Sequence, residues 1–383
     1  MATIVRAARE AVSDRRRNRP DWILFATMVV LAIFGLVMIY SATRASGSFP
    51  MERQMIFVAV GIVIFLVTSF IDYREYRAIT PYLYGGVVLL LAAVFFFPER
   101  NGARRWIDFG FIDLQPAEVA KVVVVLALAS ILAPHSRDDA RPDLTWSKIG
   151  LVLVAVAIPA VLIYQQPDLG TMIVFVFMMM AMLFAAGASW RQLITLSVSG
   201  LTAIVVLLQT GAIADYQLDR IRVLVDPNID PQGIGYNLKQ SKLAIGSGRL
   251  FGSGLFEGTQ TNFQYVPEQE TDFIFTAVAE QLGFVGGLLV LLAFTVLIWR
   301  VLVIASSARD RYGALITVGV ASMFMFHIFI NIGMTMGITP VTGLPLPFLS
   351  LGGSTFLSLT FALGIVNSIW LRRSPVPGEH YVV

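Results

Sequence analysis

Three carboxylates lie where a long polar segment of the chain passes into a hydrophobic stretch, at positions 267–275. They are Glu268, Glu270 and Asp272. A carboxylate at such a boundary is costly unless it is paired, hydrated or used by the protein. Asp272 could act as a general base or a cation ligand, because partial burial raises the proton affinity of a carboxylate. It could equally be the N-cap of the helix that follows, since Asp is among the best capping residues.

A second group of charges surrounds the start of another hydrophobic segment. Glu118 and Lys121 are three residues apart in the run Gln-Pro-Ala-Glu-Val-Ala-Lys, so an internal salt bridge is the simpler explanation for the pair. Lys121 would also suit phosphate or pyrophosphate if it acted together with Arg104 and Arg105. These two arginines lie in a short loop that contains Asn-Gly and Trp.

Four more polar positions have both a structural and a functional explanation. For Glu280, two helical turns inside a hydrophobic segment, a structural ion pair is favoured over catalysis. Asp168 follows a Gln-Pro turn, and a helix cap is the favoured role. His327 and Asn331 share one helix face, where an interior hydrogen bond is favoured over a metal site. The run 345–354 begins Pro-Leu-Pro, which excludes a regular helix there; such backbone must be buried in protein or line a cavity.

The elements that hold these residues are membrane helices. Of the 383 residues 56% are apolar and 14% are charged, which is typical of a polytopic membrane protein. The absence of cysteine excludes disulfides and thiolate metal sites. Nucleotide-binding fingerprints, a Ser/His/Asp set and a nucleic-acid-binding patch are all missing from the sequence. The arginine-rich opening runs into a full-length span near Trp22, so we expect a retained first helix and no cleaved signal peptide.

A spanning helix needs about 20 apolar residues, and by this measure the chain has about ten spans. They are predicted near 22–42, 54–71, 80–97, 116–133, 148–164, 169–187, 191–213, 273–299, 312–337 and 353–371. The distribution of arginine and lysine predicts that both termini are cytoplasmic. Arg104 and Arg105 oppose this pattern in an outside loop, which suits an anion site at the outer face.

The predicted fold is therefore an all-α polytopic membrane protein with one long extracytoplasmic loop between spans 7 and 8. This loop, 214–271, is too long to be a simple connection. It is rich in glycine and contains a helical apolar pattern over 236–245, which predicts a short amphipathic helix at the membrane surface. We expect a single membrane domain over 22–372, a cytoplasmic arm over 1–21 and a cytoplasmic tail over 373–383.

The motifs, taken together and in order, resemble the SEDS family, named for shape, elongation, division and sporulation. The resemblance covers nearly the whole chain. It rests on the segments Asn101–Trp106, Gln115–Glu118, Gln166–Thr171, Gly235–Tyr236, Gln240–Gly248, Pro267–Glu268, Thr271–Phe275 and Pro345–Phe348. Within the family, Gln166–Thr171 and Gln240–Lys242, with the later Gly258–Gln260, are more similar to the elongation member than to the division member.

The resemblance implies ten transmembrane helices and a processive peptidoglycan glycosyltransferase in the bacterial cytoplasmic membrane. Such an enzyme uses lipid II, lies among membrane lipids, works with a class B penicillin-binding protein and binds no nucleic acid. Asp272 matches the catalytic aspartate of the family. The predicted substrate-binding set comprises Arg104, Glu118, Lys121, Asp168, Gln240, Ser241, Lys242 and Glu268. A divalent cation, Mg or Mn, is a possible cofactor, because the leaving pyrophosphate needs positive charge.

Two positions depart from the family pattern. Glu270 stands where members commonly have His, which adds negative charge beside Asp272, and Leu351 stands where many have Tyr. Three alternatives to an elongation enzyme stay open at this point: a division-type polymerase, a lipid II flippase, and a structural partner that activates a penicillin-binding protein. Buried charges and broken helices also suit a transporter, but no duplication of halves is visible and the acids at the outer surface favour chemistry there.

Overall fold

The computed structural model describes residues 19–44, 50–99, 102–110, 113–133, 144–210 and 215–373. In chain order its helices are α1 (Trp22–Thr43), α2 (Pro50–Phe70), α3 (Glu75–Ala93), α4 (Pro116–Leu132), α5 (Trp146–Tyr164), α6 (Leu169–Ala185), α7 (Trp190–Gln209), α8 (Asp215–Val225), α9 (Ile234–Ser247), α10 (Thr259–Asn262), α11 (Ile274–Ser307), α12 (Arg311–Met336) and α13 (Gly353–Leu371). A 3₁₀ turn, Val94–Phe96, continues α3.

Ten of these helices correspond to the ten predicted spans. Eight have the length and hydropathy to cross a membrane, and α4 and α6 add two helices of 17 residues each. The all-α polytopic fold is thereby confirmed within the described residues. The predicted arm 1–21 and tail 373–383 lie outside those residues, except for 19–21 and Arg373. Asn101 and Ala214, which border two predicted loops, also lie outside them.

The centre of the bundle is formed by α4, α12 and α13. Nearly every residue of α4 is buried, and 78% of the spanning window of α13 is buried, compared with 11% for α7. Close helix packing is possible where glycine faces a neighbour: a Cβ on Gly61 would lie 2.5 Å from the ring of Phe356, and one on Gly364 would lie 2.7 Å from Thr68. These contacts join α2 to α13 along their length.

A two-stranded hairpin fills the connection before α4. Strands β1 (Ile107–Asp108) and β2 (Asp113–Leu114) pair antiparallel. The hydroxyl of Ser354, at the start of α13, donates to the carbonyl of Asp113 (2.6 Å) and accepts from the backbone N–H of Gln115 (3.1 Å). This serine therefore fixes the start of α4 to the start of α13.

The long connection between α7 and α11 is more ordered than predicted. The expected helix is present as α9, but α8 and α10 were not predicted from the sequence. The buried residues Leu238, Ser241 and Ala244 of α9 pack against protein, chiefly α11 and α12; the position of this helix at the membrane surface stays a prediction. The segment is thus part of the folded domain.

The eighth span, predicted as one helix over 273–299, is interrupted. Gly283 has φ +65° and ψ −161°, which lie outside the helical region, so a short helix ends near Leu282 and a longer one continues to Ser307. Within a membrane, backbone groups that lose their helical partners must find others inside the protein. The first segment carries Asp272 just before its first turn.

A glycine-rich strip, residues 248–254, provides those partners. The carbonyls of Glu280 and Gln281 accept from the N–H groups of Ser253 (3.0 Å) and Gly254 (3.1 Å), and the N–H groups of Phe284 and Val285 donate to carbonyls of the strip. The strip approaches closely: a Cβ on Gly248 would lie 1.9 Å from the carbonyl oxygen of Ala279. Glycine is required for this contact.

We expect Gly283→Ala to lower the melting temperature of the purified protein. The φ and ψ of this residue are accessible essentially to glycine alone, at a cost of about 1–3 kcal/mol for other residues. In addition, the new Cβ would lie 2.3 Å from the backbone nitrogen of Gly252. Gly200→Ala is the matched control, since no atom lies within 4 Å of its Cβ position. Equal melting temperatures for the two variants would contradict the proposed packing.

Candidate active site

Asp272 is not the helix cap. The N-cap of α11 is Phe273, and no side chain makes a capping hydrogen bond there. The capping interpretation of Asp272 is therefore wrong, because the helix begins at Ile274 and the capping position is occupied by Phe273. The backbone of Asp272 is instead held from two directions: its N–H donates to the carbonyl of Glu268 (3.0 Å), and its carbonyl accepts from the amide of Asn331 (2.8 Å).

Asn331 joins two distant segments at this point. The same side-chain amide nitrogen donates to the carbonyl of Leu344 (2.7 Å), in the irregular segment before α13. That segment lies against the carboxylate, since a Cβ on Gly343 would be 3.2 Å from Oδ2 of Asp272. Asp272 as a whole is half-buried. The hydrogen bonds to Glu268 and Asn331 fix its backbone, and its carboxylate lies beside Gly343.

Burial and neighbouring charges raise the pKa of Asp272 to about 6. Loss of hydration is the largest cause, followed by the negative charge of Glu268; Arg220 and Arg105 oppose the change, and Asp168 adds a small further increase. We expected the added charge to come from Glu270, but the carboxylate with this effect belongs to Glu268. A carboxylate with this pKa can accept a proton near neutral pH.

The cations near Asp272 are Arg105 and Arg220. Arg105 donates to the carbonyls of Gln166 (2.9 Å) and Pro167, which fixes it to the turn between α5 and α6. Arg220, on α8, donates to the carbonyl of Val341 (3.0 Å). Arg104, by contrast, is exposed and donates to the carbonyl of Phe95 (3.1 Å). Of the two arginines that suggested an anion site, Arg105 is the one whose charge reaches Asp272.

Asp168 has the structural role favoured from the sequence. It is the N-cap of α6, and its carboxylate accepts from the N–H (3.1 Å) and the hydroxyl (2.9 Å) of Thr171. The side-chain amide of Gln115 lies 3.5 Å from its second oxygen. Asp168 is thus near enough to influence Asp272 but is held by the helix it caps.

Glu118 and Lys121 form the expected ion pair deep in the bundle. The Lys121 Nζ lies 2.7 Å from the carboxylate of Glu118 and 2.9 Å from Nε2 of His327, and all three side chains are buried. The other ring nitrogen, Nδ1, lies 3.2 Å from the carbonyl of Pro345. Because ammonium has no acceptor capacity, Nε2 accepts and Nδ1–H donates to that carbonyl. The cluster ties α4 to α12 and to the irregular segment.

Two of the three predicted residues of α9, Ser241 and Lys242, lie at the C-terminal end of α12. The hydroxyl of Ser241 donates to the carbonyl of Thr335 (2.6 Å). Lys242 is exposed, and its stem covers Gly337, where a Cβ would lie 2.2 Å from Cε of the lysine. Gln240 is half-buried. Glu268, exposed at the loop end, accepts a hydrogen bond from the hydroxyl of Thr271 (3.2 Å).

Glu280 acts through hydrogen bonds and not through the expected ion pair. Its carboxylate accepts from the N–H groups of Gln260 (2.7 Å) and Thr261 (3.0 Å) and from the hydroxyl of Thr261 (2.7 Å). These donors lie in the first turn of α10, so Glu280 fixes that helix onto α11. No cation pairs with it among the described residues.

A divalent cation would find two carboxylates at this site. Asp272 and Glu268 offer the oxygen ligands that hard cations prefer. Within the described ranges, no group of three or more His, Cys, Asp and Glu residues is arranged to hold a metal. Asp272 and Glu268 alone therefore do not form a closed metal site, and a cation bound there would need other ligands, such as water or substrate oxygens.

Comparison with known proteins places the chain in a family. The model of the cell cycle proteins FtsW, RodA and SpoVE matches residues 21–374. Peptidoglycan glycosyltransferase MrdB of Escherichia coli K12 is 40% identical, with 92% of this chain and 94% of MrdB covered. Stage V sporulation protein E of Bacillus subtilis is 36% identical, with 92% of this chain and 98% of that protein covered. This chain belongs to the FtsW/RodA/SpoVE family, the SEDS family.

Solved structures agree with this assignment. A chain of a peptidoglycan synthase complex, solved to show how polymerization and crosslinking are coordinated, has a TM-score of 0.77 and 30% identity, covering 93% of this chain and 98% of its own length. The rod shape determining protein RodA of Thermus thermophilus has a TM-score of 0.70 and 28% identity, covering 93% and 98%. The ten-helix fold is therefore shared along the whole domain.

Sequence reasoning missed Arg220 and the role of Asn331 in this family member. Arg220 lies in the long loop and belongs to none of the segments that resemble the SEDS family. The sequence Asp-Arg-Ile-Arg at 219–222 could have indicated a charged helix there. Asn331 was expected to make an interior hydrogen bond, and it does, but no sequence pattern identifies a bond whose acceptors are two backbone carbonyls. Both residues act on Asp272 from elements far away in the chain.

We expect Lys121→Met to reduce the free energy of unfolding by about 3–5 kcal/mol, because it leaves the carboxylate of Glu118 buried without its cation. The double variant Glu118→Gln/Lys121→Met removes both charges and should recover much of this loss. Thermal unfolding of the purified protein in detergent measures the difference. If the melting temperatures of the single and double variants both equalled that of the wild type, the pair would have no structural role.

Proposed function

We propose that this protein is a peptidoglycan glycosyltransferase that polymerises lipid II at the outer face of the cytoplasmic membrane. The observation that supports this most directly is the fixed position and raised pKa of Asp272. Its backbone is held by Glu268 and Asn331, and the pKa of its carboxylate is raised to about 6. It lies where the extracytoplasmic segment enters the bundle, within reach of a substrate whose lipid part stays in the membrane.

In this reaction Asp272 is the general base. It accepts the proton of the 4-hydroxyl on the acceptor sugar as that oxygen attacks the anomeric carbon of the donor. The bond from this carbon to the pyrophosphate oxygen breaks, and the pyrophosphate leaves with its lipid. A base whose pKa lies near the working pH combines the right protonation state with a useful proton affinity.

Positive charge must stabilise the departing pyrophosphate. Arg105 and Arg220 are the cations whose charge reaches Asp272, and the exposed Lys242 lies on the adjoining helix α9. A guanidinium group suits this task, because its planar donors match phosphate oxygens. Lys121 is committed to Glu118 and His327. A divalent cation held by Glu268 would add further positive charge at the same place and would leave the carboxylate of Asp272 available as the base.

The relatives support a role in elongation with a transpeptidase partner. MrdB, at 40% identity, is closer than the sporulation protein at 36%, and the similar solved structures include RodA and a chain of a synthase complex that couples polymerization to crosslinking. The partner in our proposal is a class B penicillin-binding protein, which would crosslink the strand as it is made.

The proposed reaction requires the Asp272 end of the bundle to be extracytoplasmic and both termini to be cytoplasmic. We expect cysteines placed at Asn228 and Gln260 to react with an impermeant thiol reagent in intact cells. The chain has no native cysteine, so labelling reports these positions alone. Protection of both positions, with labelling of a cysteine near the N-terminus, would place the site on the wrong side for lipid II polymerisation.

The direct test of function is Asp272→Asn. Asn has the same shape and retains the backbone carbonyl that Asn331 binds, so we expect folding and partner binding to be preserved and glycan polymerisation to be abolished. Purified complex would be given labelled lipid II in detergent and its products separated on gels, with a penicillin-binding protein that makes no glycan itself.

Glu270→Gln is the matched control. This neighbouring acid is half-buried, and its backbone carbonyl accepts from Leu351 (2.8 Å), a bond that the substitution leaves in place. We expect it to retain chain synthesis. Long glycan chains from the Asp272→Asn variant would reject the proposed mechanism. If the protein were only a flippase, neither the wild type nor the variant would make chains in this assay, because its penicillin-binding protein makes no glycan.

A further inference from the structure

The glycine-rich strip carries two large apolar side chains that are exposed. Leu250 is 61% exposed and Phe251 is 80% exposed. The backbone of the same strip is bonded to α11, since the carbonyls of Arg249 and Leu250 accept from the N–H groups of Phe284 (2.9 Å) and Val285 (3.1 Å). The two side chains therefore lie beside the first turn of α11 after its break, where Phe284 is itself 62% exposed.

Exposed tryptophans mark one boundary of the membrane, at the end of the bundle opposite Asp272. Four rings there have more than half of their surface exposed, namely Trp22, Trp146, Trp190 and Trp299. Hydrogen bonds tie the helix ends that carry these rings to one another or to their neighbours, and the pairs are Arg300–Asp21, Gln192–Leu144 and Arg311–Ala186. Because tryptophan is enriched where the bilayer meets water, this end lies at a membrane surface.

The length of helix between Trp299 and the break sets the depth of the strip. Phe284 lies 15 residues before Trp299 (299 minus 284), which corresponds to roughly 22 Å of helix. The hydrocarbon core is about 30 Å thick, and any tilt of the helix shortens its reach across the membrane. Phe284 is therefore inside the hydrocarbon region, at least about 8 Å from the far boundary. The strip that bonds to its backbone lies at the same depth.

The composition and the bonding of the strip fit this depth. Irregular backbone is tolerated within a membrane where protein satisfies its polar groups, and the bonds to α11 do so. No Asp or Glu occurs between Asp230 and Glu257. The one charged side chain of the strip, Arg249, is exposed, and an arginine stem is long enough to keep its guanidinium at the lipid headgroups. The chain has returned to water at the exposed Glu257.

We propose that Leu250 and Phe251 insert into the acyl chains of the leaflet on the Asp272 side, with the guanidinium of Arg249 at the phosphate level. The partner of this surface is the lipid bilayer. The two side chains continue the exposed apolar face of α11, which faces lipid at that depth. The strip is thus a membrane anchor within the connection between α7 and α11, and it holds the short segment of α11 that follows Asp272 at a fixed depth.

Spin labels on single cysteines measure this depth directly, because the chain has no native cysteine. The full-length protein, without a partner, is reconstituted in vesicles of phosphatidylcholine and phosphatidylglycerol. Collisions of the label with oxygen, which concentrates in hydrocarbon, are compared with collisions with a water-soluble nickel complex. Labels on Phe284→Cys, Leu288→Cys and Leu292→Cys calibrate the depth at roughly 1.5 Å per residue. We expect the label on Phe251→Cys to lie within about one helical turn, roughly 5 Å, of the depth of the label on Phe284→Cys.

Glu257→Cys is the matched control, an exposed position of the same connection that we expect to be accessible to the nickel complex. Leu250→Cys gives a second label beside Phe251 and should report the same depth. If the label on Phe251→Cys met the nickel complex as readily as the label on Glu257→Cys, the surface would lie in water, as expected where a soluble partner domain docks, and the proposal would be overturned. Shielding from both reagents would also overturn it, because it would indicate burial against a second copy of the chain. The measurement needs no substrate, so its outcome is independent of the proposed catalysis.

Discussion

The interruption of α11 at Gly283 is the constraint on which the proposed active site depends. An unbroken helix would need no backbone partners from the connection between α7 and α11, and the segment Ile274–Leu282 would then lose its backbone bonds to the strip 248–254. Because the break releases backbone groups in a place where water is scarce, the glycine strip 248–254 must lie against it and bond with them. Glu280 adds the first turn of α10 to the same assembly. The connection between the seventh and eighth spans thereby becomes one body with the helix that begins just after Asp272.

The same body sets the electrostatics of the site. Asp272 lies between carboxylates, which raise its pKa, and two arginines, which lower it. Arg220 comes from α8 and Arg105 from the turn before α4, so the balance depends on how these elements dock and not on the local sequence. Removal from water has the largest effect, and it follows from the irregular segment around Gly343 lying against the carboxylate. The network of Glu118, Lys121 and His327 supports that segment through His327, which binds the carbonyl of Pro345.

Much of the fold was predictable, because hydropathy reports membrane spans directly. The ten spans, the irregular Pro345 segment, the Glu118–Lys121 pair and the cap at Asp168 were all expected from local patterns. The break at Gly283 was not, since apolar residues continue through it and hydropathy is insensitive to φ. The placement of Arg104 and Arg105 relative to Asp272 also could not be predicted, because adjacent residues in a loop point in directions that only the tertiary fold determines. The capping interpretation of Asp272 failed by a single residue, which is within the usual uncertainty of helix ends.

The pH dependence of glycan polymerisation tests most directly whether Asp272 is a base tuned by its surroundings. Because the pKa of Asp272 is raised to about 6, kcat/KM should fall as the pH drops through this value and the carboxylate takes up a proton. Glu268→Gln removes a negative charge that raises this pKa, so the acidic limb should move to lower pH, whereas Glu270→Gln should leave it in place. An acidic limb that stays near pH 6 in the Glu268→Gln variant, or a flat profile in the wild type, would contradict the role assigned to Asp272.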